Sequence, residues 1–146
     1  MIRLEGAEAT EALGQRIAPL IRPGDVIALF GDLGAGKTTL SRGILRGLGH
    51  QGDVASPTFP IVLPYDALPV PLWHVDLYRV EDASELPELA LDEALDGGAL
   101  LIEWPERLGD ALWPFALRLT LERDGDGARA LTAKVPTAWE TRWPPR

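Results

Sequence analysis

"DVIALFGDLGAGKTTLSRGILRGLG", residues 25–49, decides the fold. Val26 to Phe30 form a short apolar segment that reads as a buried strand. After Gly31 to Gly36, the residues Leu40, Ile44, Leu45 and Leu48 recur on one helical face, and Gly49 ends the run. Gly31, Gly36, Lys37 and Thr38 fit the spacing G-x-x-x-x-G-K-[ST], in which backbone N–H groups wrap phosphates, the lysine reaches the β and γ oxygens and the hydroxyl ligates Mg²⁺. Glycine at 31, 34 and 36 permits positive φ and leaves no side chain between backbone and anion. The nucleotide then rests on a helix N-terminus. Gly31, Asp32, Leu33, Gly34, Ala35, Gly36, Lys37, Thr38 and Thr39 are therefore the candidate nucleotide-binding residues. Within them Thr38 is a candidate metal ligand, Lys37 a candidate catalytic cation, and Thr39 is within reach of an α-phosphate.

Outward from this unit the chain alternates. "MIRLE" is an expected edge strand, and residues 8–21 place Leu13, Ile17, Leu20 and Ile21 on one helical face before the "RPGD" turn. Residues 50–72 carry Pro57, Pro60, Pro64, Pro69 and Pro71, which predicts extended loop with one short strand around "PIVLPY". "PLWHVDLY" is a strand, "ASELPELALDEAL" contains a helix expected to start anew near Pro87, and "GALLIEW" is a second wholly apolar strand. "FALRLTLER", "DGDG" and "ARALTAKV" read as a hairpin. The expected fold is α/β: a phosphate-loop, mostly parallel sheet flanked by helices, with a C-terminal antiparallel hairpin at its edge. Residues 1–135 form the single domain, and 136–146 a tail rich in Pro and Trp, with Trp139 and Trp143 as a contact patch or a segment folded onto the domain.

Composition sets the outer limits. The 146 residues are 46% hydrophobic and 25% charged, enough for one domain with a real core. No segment approaches the ~18 consecutive apolar residues of a membrane span, and the first residues lack the apolar stretch of a signal peptide, so a cytoplasmic protein is expected. The absence of cysteine excludes disulfides, thiol catalysis and zinc–thiolate sites, and two histidines argue against a multi-histidine metal centre. A net charge of −8 disfavours direct gripping of a nucleic-acid backbone. Without a single asparagine, the base-reading Asn-Lys-x-Asp of a GTPase cannot exist here.

A phosphate loop needs a carboxylate on a neighbouring strand to help hold Mg²⁺. Glu103 leaves the end of "ALLI", where the crevice of an open α/β sheet lies. Asp76 is the other candidate, because alternation puts His74, Asp76 and Tyr78 on one face and Trp73, Val75 and Leu77 on the other. By position Glu103 suits the metal, directly or through water, leaving Asp76 to orient an attacking water or to share the ion. Arg79 could pair with an acid or a phosphate.

"GDLGAGKTT", "SPTF" at 56–59, "HVDLYR" at 74–79, "ELALDEAL" at 88–95 and "IEWPERL" at 102–108 occur in the order and spacing of the TsaE (YjeE) family, which the chain resembles over roughly residues 5–125. The resemblance implies a bacterial ATPase that acts with TsaB and TsaD in forming threonylcarbamoyladenosine in tRNAs. It implies a Mg²⁺-ATP site at Gly31 to Thr39, a switch-like segment at Ser56 to Phe59 including Thr58, functional acids at Asp76 and Glu103, and a signature residue at Trp104. The proline-rich "PYDALPVP" departs from the family's more polar stretch. With no arginine evident in cis against a γ-phosphate, weak ATPase activity alone and stimulation by a TsaB–TsaD complex are expected, that complex also holding the tRNA. A small-molecule kinase would use the same loop but needs an arginine-bearing lid that the chain does not display, and a module that binds ATP without hydrolysing it is the other alternative.

Overall fold

The computed structural model describes residues 1–32, 34–54 and 61–145. Leu33, Ala55 to Pro60 and Arg146 lie outside them, and so therefore do two of the residues expected at the site, Leu33 and Thr58, with the rest of the Ser56 to Phe59 segment.

The chain runs β1 (Ile2–Glu5), α1 (Gly6–Ile17), β2 (Val26–Phe30), α2 (Lys37–Gly47), β3 (Val62–Tyr65), β4 (Leu72–Asp76), α3 (Leu91–Ala94), β5 (Ala99–Glu103), β6 (Leu117–Arg123) and β7 (Ala128–Lys134). The strands form one sheet in the order β1-β7-β6-β2-β5-β4-β3. Its centre, β6-β2-β5-β4, is parallel, while β7 and β1 at one edge and β3 at the other run antiparallel. The C-terminal hairpin is therefore present, but β1 adds a further strand outside it and takes the edge.

Each central strand is apolar on both faces because each face is covered. Ile27, Leu29, Leu101, Leu119 and Leu121 pack against Leu13 and Ile17 of α1 and Leu40, Ile44 and Leu45 of α2. Val26, Ala28, Leu100, Ile102 and Val75 face Leu91 of α3, Leu108 of the 3-10 segment Pro105–Ala111 and Leu112 just after it, rather than long helices. Such two-sided burial is what turns a strand into a continuous apolar run.

Local chemistry moves some boundaries. Pro19 has no N–H to extend the ladder, so α1 stops at Ile17 and Ala18–Leu20 tighten into a 3-10 turn, short of the expected helix end. No helix begins anew at Pro87. Asp82 starts the segment Ala83–Leu89 instead: its carboxylate accepts from Ser84 N at 2.9 Å while Glu85 accepts from Asp82 N at 3.1 Å, a reciprocal cap. Pro87 lies inside that segment, and the break falls at Ala90, which is left-handed at φ 53°. The C-terminal residues turn back onto the α1/α2 side of the sheet, where Trp139 is fully buried and Arg142 makes a bidentate pair with Asp25 at 2.6 and 3.1 Å. Among the described residues no helix is long and apolar enough to cross a membrane.

The helix that follows the phosphate loop is held in place by close approach to α1. A Cβ on Gly14 would lie 2.5 Å from the Leu40 carbonyl, and one on Gly43 would collide with the Glu11 carbonyl. In an exposed helix Gly→Ala stabilises by up to about 1 kcal/mol. Here Gly43→Ala should instead lower stability by about 1–3 kcal/mol through overpacking, as read by urea denaturation with the wild-type chain alongside.

Candidate functional site

The parallel ladder aligns the site. Leu29 of β2 pairs with Glu103 of β5, and Glu103 pairs with Asp76 of β4, so the three strands end on one level and the loop leaves β2 immediately beyond. Asp76 and Glu103 share the parity of Leu72 and Leu101 and so face the α2 side. Ligand crevices of open α/β sheets lie at these carboxyl ends.

The loop comes close enough to its surroundings to require glycine. Gly31 has φ 144°, and a Cβ there would stand 2.6 Å from the Leu121 carbonyl of β6. Gly36, at φ 105°, caps α2 in the left-handed region. Ala35 N donates to Asp32 O at 3.1 Å and closes the turn. Asp32 itself is exposed and Ala35 is buried.

A cleft of about 390 Å³ is lined by Gly34, Gly36, Lys37, Thr38, Thr39, Asp76, Tyr78, Arg79, Glu103, Trp104 and Arg129. Lys37 is only 5% exposed, and its Nζ has no hydrogen-bond acceptor among the described residues. The ammonium sits 3.7 Å above the centre of the Trp104 ring, which in turn lies 5.0 Å from the Tyr78 ring. A cation over a tryptophan face is favourable by roughly 0.5–2 kcal/mol, less than a set of good acceptors supplies. Burial pulls the Lys37 ammonium below the ordinary lysine range, against the opposing pull of Glu103, Glu106, Asp76 and Asp32. Trp104 occupies φ 59°, a conformation that costs a non-glycine residue on the order of 1 kcal/mol and that turns the chain sharply at the end of β5.

The acids are held differently. Glu103 is 3% exposed, and the buried His74 ring donates from Nε2 to its Oε2 at 2.6 Å, leaving Oε1 unengaged by any described hydrogen bond. Asp76 accepts the Tyr78 backbone N–H at 2.9 Å through Oδ1. Burial pushes the Asp76 carboxyl above the usual range, and the Glu103 charge adds to that, while the Tyr78 N–H, His74 and Lys37 oppose it.

The structure thus brings Gly34, Gly36, Lys37, Thr38, Thr39, Asp76, Glu103 and Trp104 to one cleft, while Gly31, Asp32 and Ala35 line a second depression across the loop. A buried ammonium without an acceptor, a loop that only glycine can form, and a hydroxyl and two carboxylates around one space suit a polyphosphate carrying a divalent cation: the cation would lie with Thr38, Glu103 and Asp76, the phosphates with Lys37 and the loop. Two arginines, Arg79 and Arg129, also line the cleft. Arg129 Nε and Nη2 donate to the carbonyls of Ala35 (3.0 Å) and Gly34 (3.1 Å). The available signal was parity: Arg129 has the inward register of Leu131 and Ala133, where a charged side chain calls for a partner. His74, by contrast, was placed on the correct face from alternation alone, but its contact with Glu103 crosses strands and is invisible to local pattern.

Comparison with known proteins gives a consistent result. A family model described as "Threonylcarbamoyl adenosine biosynthesis protein TsaE" matches residues 4–131. The chain is 43% identical over 131 residues to the tRNA threonylcarbamoyladenosine biosynthesis protein TsaE of Bacillus subtilis, covering 89% of this chain and 82% of the relative. It is 42% identical over 135 residues to the protein of the same name from Streptomyces coelicolor, covering 90% and 91%. Among solved structures it is similar to that of Bacillus subtilis YdiB, with a TM-score of 0.82 at 35% identity, covering 96% of this chain and 88% of the other.

A stability test isolates the strain at Asp76. An acid whose folded-state pKa is raised incurs no penalty where it is protonated in both states, and the full penalty above its folded pKa. In ligand-free protein with a chelator, Asp76→Asn should therefore have a higher thermal midpoint than wild type at pH 7. The difference should shrink as the pH falls through the raised pKa toward the ordinary aspartate range, as differential scanning calorimetry across pH 4–8 would record.

Proposed function

The chain belongs to the TsaE family and takes part in tRNA threonylcarbamoyladenosine biosynthesis, and from that premise we propose that its part is the Mg²⁺-dependent binding and hydrolysis of ATP in company with TsaB and TsaD. The observation that carries this reading is the Lys37 ammonium: desolvated, without an acceptor among the described residues, and facing Asp76 and Glu103 across one cleft at the start of α2.

In this reading the loop from Gly31 to Thr39 cradles the phosphates, and Lys37 leaves the Trp104 face to neutralise the β and γ oxygens. Thr38 and Glu103 would hold the metal, Glu103 being aimed by His74. A bound Mg²⁺ would supply charge neutralisation on the β and γ phosphates. Asp76, whose carboxyl burial pushes above the usual range, accepts a hydrogen bond from the attacking water and so orients it. Water adds at the γ-phosphorus, the bond to the β–γ bridging oxygen breaks, and ADP, phosphate and a proton leave. The Arg129 guanidinium is engaged with loop carbonyls, so it does not act as a mobile finger, which is in keeping with slow turnover by the chain alone. TsaB–TsaD engagement then accelerates hydrolysis, with the Ser56 to Phe59 segment as the part of the chain that responds to nucleotide and with tRNA held by the partners. The protein works in the cytoplasm.

Lys37→Ala should remain folded and lose at least about tenfold in Mg-ATP affinity, the equivalent of roughly 1.5–3 kcal/mol for a charge-assisted contact. Calorimetric titration showing wild-type affinity in that variant would remove the loop as the site.

Phosphate release should be slow for the purified chain and rise clearly on adding TsaB–TsaD, and Asp76→Asn should bind Mg-ATP yet stay inactive in both settings. Fast hydrolysis by the chain alone, with no response to the partners, contradicts the subunit role.

A further inference from the structure

On β6 the residues Leu117, Leu119 and Leu121 face the helices, and the next residue of that parity is Arg123; on β7, Ala133 and Leu131 are followed in the same way by Arg129. Arg123 and Arg129 are direct partners in the antiparallel ladder. Like charges placed opposite each other oppose strand pairing, so something must compensate them. Both reach the phosphate loop. A Cβ on Gly34 would lie 2.5 Å from Arg123 Nη2. Arg129 Nε donates to Ala35 O at 3.0 Å, its Nη2 to Gly34 O at 3.1 Å, and its Nη1 to Ala128 O at 2.9 Å, which anchors the guanidinium to its own strand.

A trans peptide holds its N–H antiparallel to its C=O. Gripping the carbonyls of Gly34 and Ala35 therefore also sets the direction of the N–H groups of Ala35 and Gly36. The first donates to Asp32 O, and peptide geometry turns the second away from the guanidinium. The planar fork of arginine suits two neighbouring carbonyls, whereas a lysine offers one point of charge.

We propose that Arg129 is a positioning residue for the phosphate loop: from β7 it fixes the carbonyls of Gly34 and Ala35, so that the turn closed by Ala35 N–H and the direction of the Gly36 N–H are set before the phosphates arrive. The proposal rests on the reading that this loop takes Mg-ATP. A loop ordered in advance gives affinity by removing the ordering cost from the binding step.

The test compares wild type with Arg129→Ala, Arg129→Lys and, as a control on the opposite face of the same hairpin, Arg118→Ala. Calorimetric titrations use Mg-ATP and magnesium tripolyphosphate, which has no base or sugar, and each variant's thermal midpoint is taken without ligand. Arg129→Ala is expected to weaken both ligands about tenfold or more and to a similar degree, Arg129→Lys to recover little of the loss, and Arg118→Ala to match wild type. Affinities within about twofold of wild type in folded Arg129→Ala overturn the proposal, whatever happens to the midpoint. Loss confined to Mg-ATP also overturns it, since the residue would then act on the nucleoside end. Should the alanine variant fail to fold, the lysine variant decides by the same criteria. A wild-type chain that binds neither ligand would instead refute the ATP reading, and this proposal with it.

Discussion

The backbone ladder that joins β2, β5 and β4 in parallel register is the constraint on which the rest of the molecule depends. It fixes Leu29, Glu103 and Asp76 on one row, so two carboxylates meet at the strand ends and the phosphate loop opens beside them. A shift of one residue in either pairing would turn an acid to the other face, where Val26, Ala28, Val75 and Ile102 pack. The two-sided apolar burial of the central strands prevents that slip. Core packing away from the cleft thus controls the geometry of the two acids.

The site is built against stability. Charged groups buried in low dielectric are disfavoured unless paired. Lys37 is held by an aromatic face rather than by acceptors, Asp76 is pushed toward its neutral form, and His74 Nδ1 is buried with no partner among the described residues. The left-handed backbone of Trp104 adds strain at the same place. Perturbed titratable groups that converge in one cleft are a mark of functional sites. The compensation comes from the surrounding core, where α1 and α2 close to glycine contact and Trp139 is buried on the same side of the sheet.

Much of this was legible in the sequence, for definite reasons. The β2–loop–α2 unit carries its own periodicity and spacing, and Asp76 and Glu103 could be placed from alternation and strand ends because both depend on residues close in the chain. Where boundaries moved, two local signals competed. At residues 83–89 the reciprocal cap of Asp82 and Glu85 outweighed Pro87 as a starting point, and at the end of α1 Pro19 outweighed the apolar face continuing to Leu20 and Ile21. What local pattern cannot convey is contact across the sheet. His74 meets Glu103 from the neighbouring strand, Arg129 reaches the loop from β7, and Arg142 closes on Asp25 over more than a hundred residues of chain. Each is a polar group on an inward-facing or buried position, which announces that a partner exists without saying which.

Charge distribution reconciles the acidic chain with the anionic ligand proposed for it. A net charge of −8 repels a long polyanion whose many phosphates would lie along the outer surface, and the repulsion between exposed charges is screened beyond about 8–10 Å at moderate salt. A triphosphate is short enough to meet only the local field, where Lys37, Arg79, Arg129 and the start of α2 gather positive potential around the loop and the acids are matched to a cation. One small domain can in this way be acidic overall and still present a local site suited to a nucleotide, because the placement of the basic side chains counts as well as their number.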